Sequence, residues 1–435
     1  MGAEFLPILM FLALFLLLAL GVPIAFSLGM VGIVFSFALW GFGSTGLLAS
    51  AAWSTMNGYT LIPIPLFVFL ASILEKSGII KDLYDTVYKW SGGLRGGLAI
   101  TTIIVGTIIA AVSGVIAAGV IGLGLIAYPQ MRKYNYQKRL SLGVVMAGGT
   151  LGSIIPPSIN MVVYGSITGV SVGDLFAGGI IAGLLLAALF IAYILIRGYI
   201  NPSLLPTLPK EERPGWAEKF IALKTVIAPI ILIILMLGAI LSGAATPTEG
   251  AAVGAFGALL ITLATKRLSW PILKNALIDT VKLSTMVGWI LIGASFFGAV
   301  FSGIGGNQLV AEIARNMPGG QWGVLALSIA FIVFLGMFLD TTAIIMLAAP
   351  IISPVVASFG FDPLWWGLLF MVLLQLAFMS PPFGFAIFYL KSCVSGDAEI
   401  GEIYKATLPF MGLQFLCVLI ILFFPGVIMW FPGLF

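Results

Sequence analysis

The sequence predicts an all-α polytopic membrane protein built from two inverted-topology repeats, each with a re-entrant helical hairpin and a discontinuous transmembrane helix. Three observations carry this prediction. Apolar runs of about 18 residues or more recur along the chain, and each is long enough to cross about 30 Å of hydrocarbon as a helix. A pattern of Gly and Pro recurs at one fixed offset, and Lys and Arg are unevenly distributed between the two halves.

The composition supports the membrane class. Apolar residues make up 61% of the chain and charged residues 8%, whereas a soluble protein has roughly a half and a quarter. The first apolar run has Glu4 and no Lys or Arg before it, so it reads as a retained span and not as a cleaved signal peptide. Two cysteines in or beside apolar helix make no disulfide framework. Membrane topology explains the net charge of +4 better than nucleic-acid binding does.

The chain repeats itself at an offset of 225 residues. Pro156-Pro157 falls on Pro381-Pro382, and Pro129 falls on Pro354. Several Gly and Ser positions follow the same offset without a gap, which is the signature of two copies of one unit.

The basic residues indicate that the two copies have opposite orientations. Residues 76–95 and 132–139 of the first copy each carry four Lys or Arg, whereas the equivalent stretches of the second copy contain only Arg315. Under the positive-inside rule the first copy's connectors are cytoplasmic and the second copy's are external. This threading places 19 of the 20 Lys and Arg on the cytoplasmic side and both chain termini outside.

The predicted elements then follow in chain order. The first repeat, residues 1–196, has spans near 3–20, 22–40 and 51–75, an interfacial arm over 77–97, a hairpin over 96–131, a broken helix over 140–170 and a span over 172–196. A polar cytoplasmic linker over 197–224 joins the halves. The second repeat, residues 225–435, has spans near 225–243, 247–265 and 276–300, an arm over 303–323, a hairpin over 321–354, a broken helix over 365–390 and a span over 406–432.

Interrupted helices near mid-membrane depth predict a binding site. Backbone without helical hydrogen bonds is tolerated at that depth only where it is buried in protein or lines a wet cavity. Freed carbonyls are ligands for a hard cation, and the N-termini of half-helices favour a carboxylate. The alternative, that Gly and Pro only kink these helices for packing, remains open.

The first candidate site joins the tip of the first hairpin to the first break. It contains Ser113, Gly114, Gly149, Thr150, Gly152, Pro156 and Ser158. Its polar atoms are hydroxyls and backbone carbonyls without formal charge, which suits a monovalent cation held by oxygen. Asn160 lies three residues beyond the proline pair, and facing this cavity or packing between helices are equal alternatives for its amide.

The second candidate site joins the tip of the second hairpin to the second break. It contains Asp340, Thr341, Thr342, Met379, Ser380, Pro381 and Gly384. Asp340 is the only carboxylate that the threading places near the midplane, and an intramembrane acid is a functional candidate. An N-cap of the returning half-helix is an equal alternative for Asp340. Glu75, Glu249 and Asp279 lie near span ends, where a solvated acid is the simpler interpretation.

The sequence lacks the motifs of other classes. No Walker A motif is present, and the chain contains no histidine, which argues against ATP as the energy source and against an imidazole-based enzyme. Asp340 has no acidic partner at its depth, which argues against intramembrane hydrolysis. A channel is the remaining rival, but two inverted halves fit alternating access better than a continuous pore.

Four segments resemble the large membrane subunit of tripartite ATP-independent periplasmic (TRAP) transporters. They are SGVIAAGVIGLGLIAYPQMRKYNY, GGTLGSIIPPSINMVVYG, LDTTAIIMLAAPIISPVV and MSPPFGFAIFYL. The resemblance runs through nearly the whole chain and implies an elevator-type ion-transporter fold. It also implies import of an organic acid, such as a C4-dicarboxylate, across the bacterial or archaeal inner membrane by sodium symport, with no enzymatic activity and no organic cofactor.

The resemblance implies partners and site residues as well. Family members receive substrate from a periplasmic binding protein and pair with a small four-helix membrane subunit, here expected as a separate chain in the same bilayer. The family's tips match Ser113-Gly114 and residues 340–342, and its unwound segments match residues 149–158 and 380–384. On this basis Na⁺ is assigned to the residues of both candidate sites other than Ser158 and Pro381, and the substrate to Ser158, Asn160, Thr341, Ser380 and Pro381.

Two departures from the family pattern stand out. Relatives often continue the first tip with hydroxyl residues, where this chain has Val115 and Ile116, so the first cation site relies more on carbonyls. Ser380 replaces a frequent Thr and keeps the hydroxyl. The alternative functions are an ion channel and a sodium-coupled carrier that works without a binding protein.

Overall fold

A computed structural model describes residues 5–91, 93–114, 116–207, 215–381, 384–394 and 396–435, without the side chain of Thr225. Val115, Pro382 and residues 208–214 of the predicted linker lie outside the described residues, as does Glu4 before the first span.

Helices make up most of the described chain. In the first half they are α1 (Phe5–Ala19), α2 (Ile24–Trp40), α3 (Thr45–Met56), α4 (Pro63–Lys76), α5 (Ile79–Ser91), α6 (Gly97–Ser113), α7 (Ile116–Lys133), α8 (Lys138–Thr150), α9 (Ile159–Thr168) and α10 (Val172–Ile200). In the second half they are α11 (Trp216–Leu241), α12 (Pro247–Ala264), α13 (Trp270–Gly303), α14 (Gly306–Arg315), α15 (Gly320–Gly336), α16 (Thr341–Ser358), α17 (Pro363–Phe378), α18 (Phe385–Cys393), α19 (Ile400–Phe423) and α20 (Gly426–Met429). Short 3-10 helices lie at Gly41–Ser44, Tyr59–Leu61, Leu151–Ser153, Pro202–Leu204 and Pro432–Leu434.

The helix bounds follow the offset of 225 residues. Shifting α7 by this offset gives the bounds of α16, α8 and α17 begin at equivalent residues, and α9 and α18 end at equivalent residues. The structure therefore contains the two helical hairpins of the predicted fold, α6 with α7 and α15 with α16. It also contains the two interrupted helices, α8 with α9 and α17 with α18.

Helix lengths fit a multi-pass membrane protein. Within the described chain, seven helices are long and apolar enough to cross a bilayer, and an eighth is added if the bent pair Trp216–Lys224 and Val226–Leu241 counts as one span. The expected continuous span over 51–75 is wrong, because the helix is interrupted between α3 and α4. Gly58 and Pro63 explain the interruption, since glycine weakens the helix and proline starts a new one. Helix also occupies both ends of residues 197–224, where α10 ends and α11 begins.

The helices pack in two groups. In one group α2 and α4 pack against α13, and α12 packs against α4 and α11. In the other group each hairpin packs on the interrupted helix of its own repeat, α19 packs on α8 and α17, and α18 packs on α7 and α8. The second hairpin also packs on the first interrupted helix, through α16 and α9. The two breaks and the two tips therefore lie within the same group of helices.

Ion pairs join connectors that the charge rule assigns to the cytoplasmic side. Lys138 pairs with Glu402 at 2.7 Å, and Arg132 pairs with Asp397 at 3.5 Å. A hydrogen bond from Tyr128, together with the nearby Arg132 and Lys138, lowers the pKa of the Asp397 carboxyl below its usual value and favours its charged form. The ion pairs bring residues 132–138 and residues 397–402 to the same face of the protein. This agrees with the prediction that both segments lie on the cytoplasmic side.

Candidate functional site

The tip of the first hairpin presses directly on the first break. Gly114 ends α6 with φ of 58°, a left-handed conformation that favours glycine. A Cβ at Gly114 would lie 2.1 Å from the carbonyl oxygen of Pro157 and 3.4 Å from Cα of Ser158. Ser113 beside it is buried. The structure therefore brings Ser113 and Gly114 together with the double-proline segment, as the sequence predicts.

The first break is shorter than expected. α8 stays helical through Gly149 and Thr150, and the helix leaves its α form only at Leu151. A Cβ at Gly149 would lie 2.6 Å from Cα of Val120, so this glycine allows α7 to pack closely against α8. The expectation that unwinding begins at Gly149 is therefore wrong. Position 149 is a glycine because α7 and α8 pack closely there.

Hydroxyl groups line the unwound segment and bond to its carbonyls. Ser153 Oγ donates to the carbonyl of Thr150 at 3.2 Å, and Ser158 Oγ donates to the carbonyl of Ser153 at 2.8 Å. Gly152 and Pro156 lie in the same buried segment. Each hydroxyl oxygen keeps acceptor lone pairs after donating its proton, so the segment offers oxygen ligands without formal charge.

Asn160 links the first break to the second hairpin. It lies in the first turn of α9, and its Oδ1 accepts a hydrogen bond from Thr341 Oγ1 at 3.4 Å. Both side chains are buried. The alternatives for the Asn160 amide were to face the cavity or to pack between helices. The structure places it at the junction of the two candidate sites, in contact with the second hairpin.

Asp340 is the N-cap of α16. Its Oδ1 accepts a hydrogen bond from the backbone N–H of Ala343 at 2.8 Å. One carboxylate oxygen is thereby used, and the second has no role in the cap. Thr341 and Thr342 form the buried first turn of the helix. The cap does not exclude a cation on Asp340, and that role stays a prediction.

The second break begins where α17 ends. Met379 and Ser380 are buried, and Ser380 Oγ donates to the carbonyl of Leu376 at 2.9 Å. Gly384 caps α18, and its backbone N–H donates to the carbonyl of Ser380 at 3.0 Å. Pro381, assigned to the substrate, is exposed. The second break thus resembles the first in offering hydroxyl and carbonyl oxygens.

Two buried glutamines near the breaks escape sequence reasoning. Gln375 Nε2 donates to Thr150 Oγ1 at 3.1 Å, and Gln414 Nε2 lies 3.2 Å from Met379 Sδ. Both are fully buried, although each lies in a helix that reads as an apolar span. The repeat offset is the signal that could have found Gln375, because it is the equivalent of Thr150.

A cavity of about 260 Å³ opens beside the first tip. Ser113 and Ala118 of the hairpin line one side, and Ser72, Glu75, Asp279 and Lys282 are among the residues of α4 and α13 on the other. Asp279 pairs with Lys76 at 2.7 Å. The interpretation of Glu75 and Asp279 as merely solvated acids misses that they face the tip of the first hairpin.

Half-helix N-termini differ in how they are capped. The N-terminus of α16 is capped by Asp340. In this part of the described chain, α9 follows Ser158 and α18 follows Gly384, and neither helix has a side-chain cap. Their first backbone N–H groups carry partial positive charge and suit an anionic group of a ligand.

The two paired hairpins and breaks define a fold that is also found in a solved membrane transporter. The structure resembles the YdaH transporter of Alcanivorax borkumensis with a TM-score of 0.65, at 13% identity over 94% of this chain and 98% of that one. Residues 11–427 match the family described as "Tripartite ATP-independent periplasmic transporter, DctM component", and the chain belongs to this family. The resemblance stated from the sequence is therefore confirmed.

Curated relatives agree with the family. The chain is 32% identical to the C4-dicarboxylate TRAP transporter large permease protein of Vibrio cholerae, over 98% of this chain and 97% of the relative. It is 28% identical to the sialic acid TRAP transporter large permease protein of the same organism, over 96% of each chain. These relatives are transporter subunits and not enzymes.

Proposed function

We propose that this chain is the large permease subunit of a secondary transporter that imports an organic acid across the inner membrane together with Na⁺. One observation carries the proposal. The two hairpin tips and the two interrupted helices belong to one packed group, where Gly114 contacts Pro157 and Thr341 bonds to Asn160. Paired interruptions of this kind are where secondary transporters bind substrate and coupling ions.

Sodium suits the donor atoms of both sites. Na⁺ would be held at the first site by oxygens of Ser113 and of the segment from Gly152 to Ser158, and at the second by those of Asp340, Thr341, Thr342 and Ser380. Hydroxyl and carbonyl oxygens are ligands for hard cations. Each net positive charge that moves inward across 100 mV contributes roughly 2.3 kcal/mol to accumulation of the acid.

The organic acid fits the uncapped half-helix N-termini. A carboxylate at the N-terminus of α9 or of α18 would accept hydrogen bonds from backbone N–H groups, with Asn160 beside the first and Ser380 beside the second. The two relatives described above are named for a C4-dicarboxylate and for sialic acid. Both ligands carry a carboxylate, which supports this class of substrate and leaves its particular member to experiment.

The partners follow from the family. We infer that a small membrane subunit, encoded as a separate chain, and a periplasmic binding protein complete the transporter, and that both termini of this chain face the periplasm. The binding protein would set much of the substrate specificity.

Reconstitution tests the proposal. The chain is placed in liposomes with its small subunit, the binding protein is added outside, and labelled organic acids are screened with and without an inward sodium gradient. We expect saturable uptake of one acid that needs both Na⁺ and the binding protein, and exchange of external for internal acid without a gradient. Sodium-independent flux would contradict the proposed coupling to Na⁺. A flux that does not saturate would contradict a carrier and favour a channel.

Asp279 provides a test of the cavity beside the first tip. Asp279→Asn is expected to raise the half-saturating Na⁺ concentration about two- to fivefold, since a partly exposed charge contributes about 0.5 to 1 kcal/mol. The increase should be larger at low ionic strength, where screening is weak. Glu312→Gln, which makes the same charge change on the exposed face of α14, is the control. If Asp279→Asn leaves the half-saturating Na⁺ concentration unaltered at low salt, the charge of Asp279 does not favour Na⁺ binding at the first tip.

A further inference from the structure

One buried hydrogen bond joins the two interrupted helices. Gln375 Nε2 on α17 donates to Thr150 Oγ1, the last residue of α8, at 3.1 Å, and both side chains are fully buried. The two residues are 225 positions apart, so they occupy equivalent places in the two repeats. The bond therefore lies where the two copies face each other.

On the side of the first break, the bond continues through a chain of contacts. Thr150 Oγ1 itself donates to the carbonyl of Met146 at 3.0 Å. Ser153 Oγ donates to the carbonyl of Thr150, and Ser158 Oγ donates to the carbonyl of Ser153. Ser158 lies under Gly114 of the first tip. Gln375 is thus connected, through Thr150, to the rest of the first candidate site.

On the side of the second break, Gln375 lies one helical turn before Met379. Thr150 Oγ1 lies 3.6 Å from Met379 Sδ, which also receives the amide of Gln414. Ser380 Oγ bonds to the carbonyl of Leu376, the neighbour of Gln375. A displacement of α17 at the second break therefore acts on Thr150 at the end of α8.

Within the described chain, Gln375 Oε1 and Gln414 Oε1 are buried without a hydrogen-bond partner. An unpaired buried acceptor is unfavourable, and an apolar side chain of the same shape would avoid it. The amide at position 375 is therefore better explained by what it connects than by its contribution to stability.

We propose that Gln375 couples the two cation sites, so that binding at one site raises the affinity of the other. This inference rests on the proposed sodium transport. Gln375 is a positioning residue that acts through Thr150, and the coupling is a free energy shared by the two sites. A transporter coupled in this way avoids moving with only one site filled.

The test is the steepness of the sodium dependence. Uptake by the reconstituted complex is measured against Na⁺ concentration for the native chain and for Gln375→Leu, which removes the amide at similar volume. We expect a Hill coefficient above 1 in the native chain and a lower coefficient in Gln375→Leu, with a severalfold higher half-saturating concentration. Loss of packing alone would lower the amount of active protein and leave the steepness unchanged.

Controls separate the possible outcomes. Thr407→Val removes a fully buried hydroxyl that bonds to the carbonyl of Tyr404 within α19, and we expect it to keep the native steepness. If Gln375→Leu does not fold, Gln375→Met is used, and sodium titration of the thermal stability of the purified protein provides a readout without transport. A native Hill coefficient of 1, or the same coefficient above 1 in native and variant chains, overturns the inference. Absence of sodium dependence in the native chain overturns the proposed function instead.

Discussion

Replacing Gly114 by alanine is expected to reduce sodium-driven uptake to background. A side chain at φ of 58° costs roughly 1 to 2 kcal/mol, and its Cβ would lie 2.1 Å from the carbonyl oxygen of Pro157. The tip must then move away from the first break and separate Ser113 from the carbonyls that are proposed to share a cation with it. Uptake into proteoliposomes, normalised to the inserted protein, measures the effect.

Gly122→Ala is the matched control for the first tip. Gly122 lies in α7 of the same hairpin, and a Cβ there would meet nothing within 4 Å. Alanine also has the higher helix propensity, so this variant should retain native uptake and stability. Native uptake by Gly114→Ala would show that close contact between the tip and the break is not required.

Replacing Asp340 by asparagine is expected to raise the half-saturating Na⁺ concentration at least about tenfold while the protein stays folded. Asparagine caps a helix about as well as aspartate, so the bond to the Ala343 N–H is kept and only the charge is lost. A unit charge about 4 Å from a cation contributes up to about 4 kcal/mol in a partly buried setting, which leaves room for such a loss. Asp340→Ala should lose thermal stability in addition.

Asp362→Asn makes the same change outside the candidate sites. Asp362 caps α17 through the N–H groups of Leu364 and Trp365, at an exposed position. Its variant should show native sodium dependence. If Asp340→Asn behaves like this control, Asp340 is only a cap, and the second cation site must rely on other oxygens.

The sequence predicts well where the helices are interrupted and where the hairpins begin and end. Paired prolines and nearby glycines mark both breaks, and the basic segments fix where the hairpins begin and end. These signals are local, because a proline removes a hydrogen bond wherever it lies. The bounds of α7 and α16 also follow the repeat offset.

Contacts between distant segments were harder to predict. Gly149 reads as part of an unwound segment because glycine weakens a helix, but its neighbour Val120, on α7, explains it. Gln375 is one polar residue in an apolar span, and the structure adds its hydrogen bond to Thr150 on the other interrupted helix. Asp279 lies near a span end, and the sequence does not reveal that the first tip is across the cavity.

Ion density in the membrane-embedded complex tests the central claim most directly. We predict that high-resolution cryo-electron microscopy in Na⁺ will show a spherical density between Ser113 and the carbonyls of residues 152–158, and another beside Asp340 and Ser380. Both densities should vanish when choline replaces Na⁺. Ordered, sodium-dependent density elsewhere in the protein, with none at either tip, would contradict the account.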